Sequence, residues 1–517
     1  MTYSTVTTQP SAARLTLDWV YLVAALALLA LRPLLTPIPQ NDFWWHMATG
    51  RAIVMQGCIP AIDTFSFTRA GEPFFNQGWL AQVLMYELHQ IGGLALVVIV
   101  QALVIAFAYG LLLRLCILRT DRLRLSVVLL LLTTMPLSFD NWTVRPQSYA
   151  LPIFALFLTI LTEYRLGRAN RLWALPLLMI VWVNIHGSFV LGLAMIAIVF
   201  AGGSIGWLRR MVRRSRSNET PNDAQQTEVI QPPGFPRLRP LILWGAITAL
   251  AVLINPRGLE VLVYVRNLLG SSQVTSLVTE WAPPSIRSTG GLIFFLFVAI
   301  CFLAIAYSPR KPDATDMLLF FAFLWLGLGA VRNIVWFGFV ATPLLVGMAA
   351  NLLPAPQRAR STGTTGMNAI LIGFLGLLLV AGLPWIKPAL FSPEVGSVID
   401  QETPVDAVRF LQSQPDRPIR LFHAMDFGSY LIWAAPEQKV FIDPRIELYP
   451  FEQWRDYLNL SDANNITDLI EQYKIDGALL SVSTQKPLID ALAKDLAWNE
   501  RYRDEYSVYF TRKPLAR

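Results

Sequence analysis

Long apolar stretches separated by short polar ones fill the first three quarters of the chain. Those near 19–39, 91–113, 125–138, 148–163, 172–184, 188–208, 240–255, 290–308, 316–330, 334–352 and 367–386 predict about eleven transmembrane helices. Inside lipid each backbone N–H must find a partner within its own segment, so such runs fold as helices. Beyond residue 386 no such run occurs. Shorter periodic segments there predict helices over 404–412, 454–458, 466–473 and 487–496 and strands over 419–423, 439–442, 477–482 and 506–511. The reading is a polytopic α-helical membrane domain over 1–386, with outer loops 40–90 and 256–289, followed by an α/β domain over 387–517. No internal repeat is visible.

Composition sharpens this. Of 517 residues 54% are hydrophobic and only 15% are charged, which excludes an ordinary soluble enzyme. A net charge of +7 would suggest nucleic acid in a soluble protein, but the basic residues sit in short loops between apolar runs and act as topology signals, so no nucleic-acid partner is expected. With a cytoplasmic N-terminus, nineteen Arg and Lys fall inside and seven outside before residue 387. The positive-inside rule then sets a multi-pass protein of the cytoplasmic (inner) membrane, N-terminus in and C-terminal domain out. The first apolar run exceeds a signal-peptide core and reads as an uncleaved anchor. The basic loop 209–239 reads as flexible, and Cys58, Cys116 and Cys301 fit no disulfide or metal framework.

Polar groups near the bilayer are costly unless paired or wetted, and here they fall on one side. His46, His89, His186 and His423, with Asp42, Asp63, Asp140 and Glu280, are all predicted outside. Asp42 follows the first span and opens Asp42-Phe43-Trp44-Trp45-His46, whose aromatics suit an interfacial helix. A carboxylate at that depth must be solvated, paired or metal-bound, and His46 lies one helical turn on, as a packed interfacial histidine or as a ligand or base. The runs 125–138 and 172–184 are short, so the polar motifs that follow, around Asp140–Arg145 and His186, are expected to dip into a wetted cavity. Arg145 and Arg332, each at a loop-to-helix junction, are phosphate-binding candidates, with snorkelling to headgroups as the alternative. His186 and Arg257 join them as substrate or phosphate ligands. Glu280, in the second outer loop, either reaches the same cavity as Asp42 or is a solvated surface carboxylate.

In the tail, the stretch from Met425 to Tyr430 lies at a strand-to-helix turn where ligands often bind, and the stretch from Asp443 to Tyr449 follows the next strand. Both read either as turn chemistry or as ligand-lining surface.

An aspartate directly after span one, an amphipathic outer loop, an acidic outer motif between spans three and four and an outer α/β tail resemble the GT-C superfamily of lipid-sugar-dependent glycosyltransferases. Asp42-Phe43-Trp44-Trp45-His46-Met47-Ala48-Thr49-Gly50-Arg51, with Ile59-Pro60, Asp63-Thr64-Phe65-Ser66-Phe67-Thr68 and Gly78-Trp79-Leu80, looks like a bacterial branch of it, distantly similar to oligosaccharyltransferases and protein O-mannosyltransferases. The resemblance implies transfer, inverting in the usual case, from a polyprenyl-phosphate-linked sugar to a glycan, lipid or protein acceptor on the outer face. Asp42 would be the general base or a metal or acceptor-orienting ligand, and Asp140 would match a second acidic motif, the two sharing a divalent metal (Mg or Mn). Asp140 is followed by Asn141-Trp142 and lacks the family's second acid, which weakens the metal assignment. The run from Thr275 to Glu280 is loosely similar to a later outer loop of oligosaccharyltransferases. The Met425–Tyr430 stretch is faintly similar to their acceptor-recognition motif but lacks its tryptophans, so no sequon recognition follows.

The same parts follow from chemistry. Displacing a polyprenyl phosphate calls for positive charge on the leaving phosphate and a carboxylate near the incoming hydroxyl, and no nucleotide-binding Gly-rich loop is present. A transporter or flippase of a lipid-linked or anionic solute would use the same arginines, but paired broken helices and inverted repeats are missing. A non-catalytic assembly protein would need no convergent acids.

Overall fold

The computed structural model describes residues 15–216, 238–270, 279–354 and 364–513. Most of the loop expected over 209–239 lies outside the described residues, as do Arg14, Arg358, Arg360 and the motif from Thr275 up to residue 278. Each of the eleven apolar runs is helical: α1 (Leu17–Leu35), α3 (Trp79–Thr120), α4 (Leu123–Leu129), α5 (Pro146–Arg165), α6 (Ala174–Ile185), α7 (Val190–Arg216), α8 (Leu238–Ala251), α10 (Thr289–Tyr307), α11 (Ala314–Gly329), α12 (Ile334–Leu352) and α13 (Thr365–Ala381). Two further helices fall in the loops between these runs, α2 (Asp42–Gln56), whose residues Phe43 to Gly50 are all buried, and α9 (Glu260–Gly270). Five described helices are long and apolar enough to cross a membrane by themselves, six if the bent pair after α3 counts as one span, so the chain is a multi-pass membrane protein. Four others, α6, α8, α11 and α13, are apolar but shorter.

Three local departures from straight helix shape the outer face. In α3, Gly92 and Gly93 leave helical geometry, and Gly93 has φ of 64°, which favours glycine. The segment before the break, starting at Trp79, therefore lies at an angle to the span after it. α4 runs into a π-helical turn, Leu130–Thr134, and then a 3-10 turn, Pro136–Trp142, bent by 64°. Pro136 cannot continue the helical ladder, and Ser138 Oγ donates to the carbonyl of Thr134 at 2.7 Å instead. α6 stops at Ile185 because His186 takes an extended conformation.

α12 is the most buried span and forms the centre of the bundle. Its Trp336 and Phe339 pack on Phe154 of α5, and Phe339 also meets Tyr109 of α3 at a ring-centroid distance of 4.9 Å. Between helices in lipid this close packing replaces the hydrophobic drive available in water.

In the tail, α14 (Val405–Ser413), β1 (Leu421–His423), α15 (Met425–Ala434), α16 (Phe451–Ser461), α17 (Ile466–Tyr473), β2 (Gly477–Ser481), α18 (Lys486–Leu492), β3 (Trp498–Arg503) and β4 (Ser507–Arg512) follow in order. The sheet order is β1-β2-β4-β3, with β1 parallel to β2 and the other pairs antiparallel. The strand expected over 439–442 is not part of it. Val440 pairs with the first outer loop instead, its N–H donating to Phe65 O at 3.1 Å and its carbonyl accepting from Phe67 N at 3.0 Å. The fourth strand is β3, a polar edge strand whose mostly exposed residues give no hydrophobic signal.

The tail is welded to the outer face. Arg445 bridges Asp443 and Asp63 of the outer loop at 2.6 and 2.7 Å, all three side chains buried. α15 lies on α2: Ser429 Oγ accepts the backbone N–H of Trp45 at 3.0 Å, Tyr430 packs edge-on against Trp44, and Arg51 donates to Ile432 O at 3.3 Å while covering Trp433. On its other side α2 approaches α3 so closely that a Cβ on Gly50 would sit 2.2 Å from the carbonyl oxygen of Gln82.

Candidate active site

Asp42 is the first residue of α2. Asn41 caps the helix by accepting the Asp42 N–H at 2.8 Å, and an acid in the first turn suits the helix dipole. Arg145 immediately precedes Pro146, which holds it in extended backbone. Gln101, inside α3, supports the irregular segment leading to it: its amide donates to the carbonyls of Trp142 at 2.8 Å and Thr143 at 3.1 Å, and its oxygen accepts from Ser148 at 3.0 Å.

Arg145 gathers the site. Its Nη1 donates to Asp42 at 3.1 Å, and its two terminal nitrogens grip both oxygens of Glu280, Nη2 at 2.8 Å and Nη1 at 3.2 Å. Nε donates to Thr143 Oγ1 at 3.0 Å, and Nη2 to the Asp140 carbonyl at 3.4 Å. Burial opposes the charge on this guanidinium, but Asp42 and then Glu280 more than offset it and raise its pKa above the ordinary arginine value.

Arg332 stands beside this cluster on a different footing. It lies in a 3-10 turn, Val331–Asn333, with its guanidinium over the ring of Trp281 at 4.5 Å and its Nη2 donating to Gln147 Oε1 at 3.2 Å. Among the described residues no carboxylate is within ion-pair distance of it. Val331 N donates to Ala282 O at 3.0 Å, joining its turn to the one that carries Glu280.

Both nearby histidines are neutral. His46 Nδ1 accepts from Gln82 Nε2 at 2.9 Å with its ring against Trp45, and burial followed by Arg145 holds its pKa well below the usual imidazole range. His186 caps the turn Gly187–Phe189 by accepting Ser188 N at 3.1 Å. Burial, then Arg332, Arg145 and His46, push its pKa down to about 3. A neutral capping imidazole contributes orientation here, not positive charge. The two remaining expectations take other positions. Asp140 offers the cluster its carbonyl, while the residue itself is exposed, because the 3-10 turn directs the backbone inward. Arg257 covers Phe75 at 4.8 Å and lies 3.6 Å from Glu260, away from the Asp42–Arg145–Glu280 cluster.

The tail also faces the site. Asp426, in the first turn of α15, feels Asp42; burial, then Asp42 and Glu402, push its pKa up to about 6. Tyr264 of α9 stacks on Phe75 at 4.5 Å and donates to Glu447 at 3.2 Å. Sequence reading passed over Gln82, Gln101, Gln147 and Trp281, since neutral amides and single aromatics in apolar surroundings carry no pattern of their own. Among the described residues no three His, Cys, Asp or Glu side chains gather as metal ligands. The positive charge between the two converging acids, Asp42 and Glu280, is the Arg145 guanidinium.

No protein-family model matches the chain, and no curated protein matches it in sequence. Solved structures do. An archaeal oligosaccharyltransferase, AglB from Archaeoglobus fulgidus, in complex with an inhibitory peptide and a dolichol-phosphate, superposes with a TM-score of 0.54 at 12% identity, over 90% of this chain and 69% of that one. The Archaeoglobus fulgidus oligosaccharyltransferase tethered to an acceptor peptide containing the NVT sequon gives 0.52 at 12% identity, over 96% and 74%. The likeness is one of fold, shared with these archaeal oligosaccharyltransferases over most of the chain.

Proposed function

We propose that this chain is a membrane glycosyltransferase that moves a sugar from a polyprenyl-phosphate-linked donor to an acceptor on the outer face of the membrane, with the α/β tail on that same side. The observation that carries the reading is the union of Asp42, Arg145 and Glu280 at the outer ends of the helices, with Arg332 beside them and beyond ion-pair distance of any described carboxylate. The shared fold with a lipid-linked-sugar enzyme supports it.

In this reading the acceptor hydroxyl gives its proton to Asp42 as its oxygen attacks the anomeric carbon, and the bond from that carbon to the polyprenyl phosphate breaks. A single displacement inverts the anomeric centre. Arg145 orients the Asp42 carboxylate through its Nη1, with Glu280 holding Arg145 from the other side. Arg332 takes up charge on the departing phosphate, which is where fixed positive charge lowers the barrier. His46 and His186, being neutral, complete the wall.

A flippase would need a path through the bundle. At the far end of the helices Arg165 and Arg119 are tied to Asp316, and Arg114 and Arg171 to Glu163, ion pairs that a flippase would have to break to open a path there. The test is purified protein in nanodiscs given a panel of polyprenyl-phosphate sugars, with release of free polyprenyl phosphate as the readout. Sugar-dependent release that is lost in Asp42→Asn is expected. Movement of intact lipid-linked sugar between leaflets, without cleavage and insensitive to Asp42→Asn, would overturn the reading.

A further inference from the structure

Arg332 is held by an uncharged clamp. Gln147, buried in the first turn of α5, orients its amide by its three contacts: Nε2 donates to Asn141 Oδ1 at 2.7 Å and to the Arg332 carbonyl at 3.4 Å, and Oε1 accepts from Arg332 Nη2 at 3.2 Å. The reversed amide would set its NH₂ against the guanidinium, so these partners settle which way it faces. From the other side the Trp281 ring covers the guanidinium face at 4.5 Å. A planar cation with one edge hydrogen-bonded and one face covered keeps little rotational freedom, and its remaining N–H donors point away from both contacts.

The contrast with Arg145 gives the clamp its meaning. Arg145 is oriented by two carboxylates, which also cancel its charge. Arg332 is oriented by an amide and an indole, neither of which carries charge, and Glu280 and Asp42 act on it only from beyond ion-pair distance. Gln147 also sits two residues after Arg145 on the same turn and reaches Asn141 in the segment that leads to it, so one short stretch sets both cations.

We propose that Gln147 is the positioning residue that aims the Arg332 guanidinium at the phosphate of the lipid donor while leaving its full charge for that phosphate, so that the site prefers a polyprenyl phosphate over the corresponding uncharged polyprenol. The proposal rests on the reading of Arg332 as the phosphate ligand.

The experiment measures binding of polyprenyl phosphate and of polyprenol of the same chain length to the full-length protein in nanodiscs, and takes the ratio of the two affinities. Arg332→Ala tests the underlying reading and is expected to lower the ratio about 10- to 100-fold, the scale of a lost charged hydrogen bond. Gln147→Glu keeps the shape and adds a neutralising charge, and about a tenfold or greater fall in the ratio is expected with polyprenol affinity near wild type and some loss of melting temperature from the forfeited donor to Asn141. Gln147→Ala removes the clamp and is expected to fall between wild type and Arg332→Ala. It decides the matter by the same ratio if Gln147→Glu does not fold. A wild-type ratio in the Gln147 variants with a lowered one in Arg332→Ala overturns the positioning role alone. A wild-type ratio in Arg332→Ala overturns the phosphate reading and the clamp with it.

Discussion

α5 carries a cluster of arginines and carboxylates at each end, and the two are built to opposite rules. Its 20 residues place the clusters about 30 Å apart. At the far end Arg165, 6% exposed, joins Asp316, 7% exposed, at 3.0 Å and Asp313 at 2.8 Å, and Arg119 completes the set on Asp316. Two cations meet two anions across α3, α5 and α11, so the charges cancel and the helices are fixed to one another. At the outer end one guanidinium is divided between Asp42 and Glu280, which are 26% and 34% exposed, and a second cation, Arg332, lies beyond ion-pair distance of any described carboxylate. The same residue types make a lock where every cation is directly paired around a buried aspartate, and a site where one cation is left without a direct partner.

That comparison is most exposed to failure at Asp316. Asp316→Asn strips two largely buried arginines of a shared partner, and breaking such a pair costs about 3–5 kcal/mol. A large fall in melting temperature is expected, with the surviving folded fraction keeping its specific activity. Asp42→Asn should do the reverse: turnover with a polyprenyl-phosphate sugar drops about 10²-fold or more while the melting temperature stays near wild type. If either variant behaves as the other should, the division between lock and site is wrong.

A smaller effect separates the histidines from Asp426. His46 and His186 have pKa values below the ordinary 6.5, so the unfolded chain binds protons there that the native one does not, and their contribution to stability is lost as pH falls below about 6.5. Asp426, raised from 3.8 to about 6, runs the other way, its contribution being lost as pH rises through that window. Thermal melts from pH 7 to 4 should therefore fall toward acid. In Asp426→Asn the melting temperature at pH 7 should rise slightly and the fall between pH 6 and 4 should steepen. An unchanged slope would mean that Asp426 titrates normally. The smallest effect expected is from chelation: EDTA should leave turnover unchanged, because a guanidinium lies between the acids, and loss of activity restored by Mg or Mn would replace that account.

Much of this organisation can be read before any coordinates. All eleven apolar runs are helices, since length and composition leave no other backbone solution in lipid, although only five or six of those helices are long enough to cross by themselves. Asp42 and Arg145 stand out in the sequence because each is a charge placed near the end of an apolar run, and Glu280 because it is an acid in the second outer loop. Their meeting at one point is not legible, as it depends on the bend after α4 and on a loop returning from residue 280. Asp140 shows the limit: its position is informative, but the 3-10 turn sends its carbonyl, not its carboxylate, into the site. The clamp of Gln147 and Trp281 is invisible for a different reason, since Gln147 lies 185 positions from Arg332 in sequence and only tertiary packing brings it, Trp281 and Arg332 together.

The hydrogen bond from Trp45 N to Ser429 Oγ also bears on how such proteins can be taken apart. The helix that begins with Asp42 belongs by sequence to the membrane portion, but its first turn is completed by a side chain almost four hundred residues later. Cutting the chain at residue 386 would expose that turn and the Trp44 face that Tyr430 covers. The exchangeable module in a chimera is therefore α2 together with the entire tail, and a graft of the tail alone would have to find its own serine for a foreign helix.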